Sequence, residues 1–202
     1  MFINGIPCDA SDGMTIDVIN PATGAVVDTV PAATKEDVDK AVACAKAAQK
    51  KWAAVPVSEK VEIMYRFLDI VDDNKEKLAQ VLSQETGKPI VEARAEIGNI
   101  RIGFSGFCEK AKHLYGKTFP AGLEPGQDKH VLITKKEPIG VIACVIPFNF
   151  PCDLFDQKVA PTLLAGNAAI VKPSTDNPLT LCMLTEMLGE AGVLPGAVQI
   201  VT

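Results

Sequence analysis

"KEPIGVIACVIPFNFP", residues 136–151, decides the fold. An apolar, β-favouring run stops at Pro147, and a single Asn then sits between two Phe residues, which are themselves flanked by two Pro residues. The run is continuously apolar rather than alternating, which predicts a strand over 139–146 buried on both faces, as in a parallel sheet covered by helices. Downstream, the pattern predicts a helix over 152–165 that ends at Gly166-Asn167, then a second buried strand, "AAIVK", over 168–172. Asn177-Pro178 reads as a helix start, with an Asn cap and Pro at the first position. That helix should run to Ala191 and stop at Gly192, and Pro195-Gly196 then turns into a third strand, "AVQIV". Strand, helix, strand, helix, strand calls for parallel pairing with right-handed crossovers, which is half of a doubly wound sheet.

Upstream, Asn4-Gly5 and Thr23-Gly24 punctuate short β-prone runs, so residues 1–32 read as hairpins. Thr34 to Asp37 fits a capping box opening a helix with the stripe Val38, Ala41, Val42, Ala45, Ala48 and Trp52, closed by Pro56. Ser58 is the expected cap of a second helix with Val61, Met64, Tyr65, Leu68 and Val71 inward, and a third spans 75–86 before Gly87 and Pro89. The longest periodic segment, 90–115, places Ile90, Ala93, Ile97, Ile100, Phe104, Phe107, Ala111 and Leu114 on one face. Gly98, Gly103 and Gly106 inside it point either to close approach of a neighbouring element or to a kinked helix. Residues 117–137 carry turn residues between two β-prone stretches, as in a protruding ribbon whose edges need a partner.

The totals exclude several classes. In 202 residues, 20 Lys and Arg stand against 25 Asp and Glu, a net charge of −5 that argues against nucleic acid or an anionic membrane as partner. Six scattered Cys with no CxxC pair, and only two His, argue against a zinc site. Free thiols in a chain of this length indicate a cytoplasmic protein. "MFINGIPCDASDG" has no basic segment followed by an apolar core, so no signal peptide is expected, and no apolar run reaches membrane-spanning length.

In open α/β sheets, ligands bind beyond the carboxyl ends of the strands. Asn149 follows the first strand and Lys172 closes the second. Asn149 reads either as the N-cap of the next helix or as an amide donor, fixed by its Pro neighbours and aimed at a developing oxyanion. Lys172 is either solvated or, in "VKPSTDNP", a cation presented with Ser174 and Thr175 to a nucleotide. The GxGxxG dinucleotide fingerprint is absent after the first strand. Cys152, at a helix start, is a position where a thiolate can be favoured, or else a small buried residue.

These motifs resemble the aldehyde dehydrogenase superfamily along nearly the whole chain. The resemblance is carried by "INPATG" (19–24), "ETGKP" (85–89) followed by Glu96, "EPIGV" (137–141), "PFNFP" (147–151), "KVAPTLLAGNAAIVKPS" (158–174), "NP" (177–178) and "AGVLPGAVQIV" (191–201). It implies an α/β fold: the N-terminal part of an aldehyde-dehydrogenase-like architecture, with hairpin strands, a helical segment and half of a parallel Rossmann-like sheet. Residues 1–202 would form the N-terminal part of a dinucleotide-binding domain, with 117–137 as a β-ribbon in an oligomerisation arm of a homo-oligomer. The implied reaction is oxidation of a small-molecule aldehyde to a carboxylic acid with NADP or NAD. A Cys thiolate adds to the carbonyl, hydride leaves for the nicotinamide, and a Glu-activated water releases the acid.

In that reading Asn149 is the oxyanion-hole residue. Ile146, Pro147, Phe148 and Asn149 line the cofactor cleft, and Lys172, Ser174 and Thr175 hold the adenine ribose. Phe148 replaces the commoner Trp. Thr175 stands where NAD-preferring members often carry a Glu, so the full-length enzyme is expected to accept NADP, alone or alongside NAD. The family's nucleophilic Cys and general-base Glu are expected beyond residue 202, leaving the chain by itself inactive. The competing reading is a stand-alone nucleotide-binding or oligomerisation module without catalysis.

Overall fold

The computed structural model describes residues 1–202, with nine short strands and six helices. Strands β1 (Phe2–Ile3) and β2 (Ile6–Pro7) form a hairpin whose turn, Asn4-Gly5, has both residues at positive φ, 54° and 79°. Asn and Gly are the residues that tolerate that conformation. Strands β3 (Thr15–Ile19) and β4 (Val26–Pro31) pair antiparallel across the Thr23-Gly24 turn. Helices α1 (Lys35–Ala54), α2 (Val57–Asp73), α3 (Lys75–Thr86) and α4 (Ile90–Ala111) follow. Thr34 and Asp37 close the anticipated capping box on α1, and Gly87, at φ 73°, ends α3 in the left-handed conformation. Strands β5 (Thr118–Phe119) and β6 (Leu132–Ile133) make a two-residue antiparallel ladder between exposed flanks.

The second half forms the expected alternation: β7 (Val141–Val145), α5 (Pro151–Leu164), β8 (Ala168–Lys172), α6 (Leu179–Glu190) and β9 (Val198–Ile200). β7 pairs with β8 and β8 with β9, both parallel, and β1 adds antiparallel to β9, giving the order β2-β1-β9-β8-β7. Side chains alternate across this sheet, as strand geometry requires. Ile3, Ala168, Ile170 and Val201 pack with Ala41 and Ala45 of α1 on one face. Phe2, Ala169, Val171 and Ile200 join the larger core on the other face, with Phe67, Phe104, Phe155, Leu163 and Leu184 from the remaining helices.

Several local expectations are corrected. β7 is not buried on both faces: it is the sheet's edge strand, and Val145 is 62% exposed and Ile139 88%. Only Cys144 of its residues is fully buried, because helices cover one side of it and no strand pairs beyond it. Ser58 does not cap α2, which begins one residue earlier after Pro56, with no side-chain cap. Val38 and Tyr65 are turned outward and Phe67 is fully buried, while Ala41, Ala45, Ala48 and Trp52 of α1 and Val61, Met64, Leu68 and Val71 of α2 are buried as expected. Leu114 lies beyond the end of α4 and is exposed.

Of the three glycines in α4, only Gly103 marks a close approach. A Cβ there would lie 2.0 Å from Asp156 Oδ2 and 2.4 Å from its Cγ, whereas Gly98 and Gly106 face open space. Asp156 is itself buried on α5. Gly103→Ala should therefore destabilise by about 1–3 kcal/mol through overpacking. Gly98→Ala and Gly106→Ala should stabilise by about 0.5–1 kcal/mol through helix propensity. Thermal melting of the three variants checks the contrast, and equal shifts for all three would contradict it.

Candidate functional site

The site lies where β7 and β8 end. Ile146, 1% exposed, donates its N–H to the Lys172 carbonyl at 2.9 Å, which locks the two strand ends together. Beyond it the chain leaves the sheet: Pro147 and Asn149 are exposed, as are Phe148 (63%) and Phe150 (53%). The N-cap of α5 is Phe150, with no side-chain cap bond, so Asn149 does not cap that helix.

The carboxamide of Asn149 makes no hydrogen bond within the chain, whereas the backbone around it is anchored from three directions. Asn177, 1% exposed, donates its Nδ2 to the Phe148 carbonyl at 2.8 Å. Lys88 Nζ lies 3.4 Å from the Asn149 carbonyl and 5.0 Å from the centre of the Phe150 ring. Glu96 Oε1 accepts the Cys152 N–H at 2.8 Å, and its other oxygen is ion-paired with Lys88. Asn177 was expected to cap α6. It does not, because its side chain crosses instead to the Phe148 loop.

Glu85, from the end of α3, supplies the missing cap. Its carboxylate accepts the N–H groups of Leu179 (2.7 Å) and Thr180 (3.0 Å) and the Thr180 hydroxyl. Burial nevertheless pushes the Glu85 carboxyl up to about 7, against these bonds and with the nearby charge of Glu96 adding to the rise. The folded state therefore holds a proton that the unfolded chain releases near the ordinary value of 4.5. Stability from this group is complete below about pH 4.5 and is lost as pH rises to about 7, a change of about 3 kcal/mol. Glu85→Gln should remove that part of the pH dependence of melting between those limits; an unchanged profile would rule it out.

Loop 173–178 follows β8. Lys172 is half-buried and its ammonium donates to the adjacent Pro173 carbonyl at 2.7 Å. The Ser174 hydroxyl lies 3.4 Å from Asp176 Oδ2 and accepts the Asp176 N–H at 3.3 Å. Thr175 is exposed. Thr175 and Phe148 share a cavity of about 350 Å³ with Asp17, Ile19, Glu85, Asp176 and Asn177. Asn149, Lys172, Ser174, Ile146 and Pro147 lie outside its lining.

Of the two readings of Cys152 the structure supports the small buried residue: it is fully buried, and burial together with the charge of Glu96 holds its thiol well above the ordinary range. The helix terminus cannot favour a thiolate there, because Glu96 already occupies the Cys152 N–H. Sequence reasoning gave Glu85, Lys88 and Glu96 no role beyond their place in a family motif. Glu96 carries a detectable signal, a charge on the buried stripe between Ala93 and Ile97.

A sequence profile of the aldehyde dehydrogenase family matches residues 8–202. This chain belongs to the aldehyde dehydrogenase family. It is 37% identical over 201 residues to 3-sulfolactaldehyde dehydrogenase of Pseudomonas putida, covering 100% of this chain and 40% of that protein. A crystal structure of an NADP-dependent glyceraldehyde-3-phosphate dehydrogenase from Bacillus halodurans, complexed with NADP, superposes with a TM-score of 0.96 at 31% identity, over 100% of this chain and 42% of the other. An NAD-dependent aldehyde dehydrogenase from Sinorhizobium meliloti superposes with a TM-score of 0.94 at 34% identity, over 100% and 40%. The chain thus spans about 40% of the length of these family members. Over the matched portion their fold is its fold, and both nicotinamide cofactors are represented among them. No helix of the chain is long and apolar enough to cross a membrane.

Proposed function

We propose that the full-length protein oxidises a small-molecule aldehyde to the carboxylic acid with NADP or NAD, and that these residues supply the oxyanion donor and part of the cofactor site. The observation that carries the reading is the Asn149 carboxamide: exposed, without a partner in the chain, on a loop whose own backbone is tied down beyond a parallel strand. An amide N–H held this way can donate to the aldehyde oxygen as negative charge grows on it, with little reorganisation at the moment of reaction. Cys108 and Cys182, pushed up by burial to about 11 and about 12, are unsuited to be thiolates, as is Cys152. In this reading the part of this chain in the chemistry is electrostatic and positional.

The donor set after β8 fits a nicotinamide dinucleotide phosphate. Lys172 offers a cation that can turn from the Pro173 carbonyl, and Ser174 and Thr175 offer hydroxyls. A carboxylate at 175 would repel a 2′-phosphate, and none is present there; the neighbouring Asp176 carboxylate accepts from Ser174. The bound cofactor supplies the hydride acceptor. We place the protein in the cytoplasm as a homo-oligomer, with the exposed β5–β6 ribbon as its contact arm.

Turnover of an aldehyde panel with each cofactor tests the reading. Reduction of NADP is expected, and Thr175→Glu should lower kcat/KM for NADP by about tenfold or more while sparing NAD, an effect of one charge–charge contact. A wild-type enzyme strictly confined to NAD would refute the NADP assignment, and no aldehyde-dependent reduction of either cofactor would refute the activity.

A further inference from the structure

The anchors around Asn149 come from places that have no part in the chemistry as read from motifs. Lys88 sits between α3 and α4 and Glu96 in the second turn of α4, 61 and 56 residues from the backbone groups that they hold. Their side chains are 13% and 2% exposed, so the pair is almost dry. A buried ion pair contributes little net stability compared with an apolar pair of similar volume. Its cost in desolvation is more readily accounted for by what it specifies. Here it specifies the path of four residues: Glu96 takes the Cys152 N–H, and Lys88 reaches the Asn149 carbonyl and lies over the Phe150 ring. Asn177 holds the same loop at the Phe148 carbonyl. The carboxamide of Asn149 is left free between these points.

The geometry points to Lys88, Glu96 and Asn177 as a clamp of positioning residues that aims the Asn149 carboxamide. This rests on the oxyanion reading of Asn149. The three residues act on rate through the loop, since a displacement of about 1 Å in a catalytic donor can cost about 100-fold. Neither Lys88 nor Glu96 is hydrogen-bonded to Lys172, Ser174 or Thr175, the residues read as holding the adenine ribose, so cofactor binding there should be insensitive to them.

The test is a kinetic double-mutant cycle on the full-length enzyme. Lys88→Met should lower kcat by about 10–100-fold with KM for the cofactor unchanged. Lys88→Arg, which keeps the cation, should recover most of that loss. In an Asn149→Ala background, Lys88→Met should have little further effect on kcat, because the group it aims is gone. Asn177→Ala, which leaves the ion pair intact, should show the same dependence on Asn149 and serves where Lys88→Met does not fold. Equal losses in both backgrounds, or an unchanged kcat in the Asn149-containing variants, would overturn the clamp. An Asn149→Ala enzyme with unchanged kcat would instead overturn the oxyanion reading on which the clamp depends.

Discussion

Asn149→Ala is expected to lower kcat of the full-length enzyme by about 10²–10³-fold while leaving its melting temperature nearly unchanged. The rate term follows from removing one preorganised amide donor, about 3–4 kcal/mol of transition-state stabilisation. The stability term follows from the fold: the carboxamide is exposed and no protein group is bonded to it, so nothing is left unsatisfied when it goes. Surface changes of that kind fall within about 0.5 kcal/mol. Were Asn149 a helix cap, the order would be reversed, with about 1 kcal/mol lost in stability. Steady-state kinetics together with thermal melting separate the two. The donor acts on the transition state, so kcat and kcat/KM should fall together. A drop confined to KM would assign Asn149 to substrate binding and remove it from the oxyanion hole.

Trp52→Ala should be the most damaging single truncation for the fold, costing about 3–5 kcal/mol. Trp52 is the largest fully buried side chain, and it joins α1 to the main core. Its indole N–H donates to the Leu163 carbonyl at 2.8 Å, in the last turn of α5. Lys60 Nζ lies 5.6 Å from the ring and also donates to the Val55 carbonyl at 2.8 Å, which ties off the end of α1. Truncation would leave a cavity and strip the Leu163 carbonyl of one of its two donors, leaving it only the Gly166 N–H at 3.0 Å. Trp52→Phe retains much of the buried surface and loses the hydrogen bond, so it should cost less, about 1–3 kcal/mol. Melting of both variants checks the order. A Phe variant as unstable as the Ala variant would make the bond to Leu163, not packing, the dominant contribution.

Features that depend on near neighbours along the chain can be read directly from the residues. The strand–helix–strand–helix–strand order, the Asn4-Gly5 and Thr23-Gly24 turns and the Thr34–Asp37 capping box are all legible, because turn chemistry, caps and apolar periodicity are written within a few residues. The "PFNFP" stretch stands out as a candidate site because two Pro and two Phe residues bracket a single amide at a strand end. Which strand lies at an edge, and which side chain meets which backbone, depends on packing between distant parts of the chain. An apolar run does not say how many neighbours its strand will have, so β7 read as buried on both faces and is an edge. β1 joins the parallel sheet beside β9, at the far end of the chain. Asn177 and Ser58 were natural caps by local chemistry, yet Glu85 caps α6 from 94 residues away and Ser58 caps nothing. The physical reason is the same throughout: a buried N–H takes whatever acceptor the packed elements bring within hydrogen-bonding reach, and packing is set by all the faces at once.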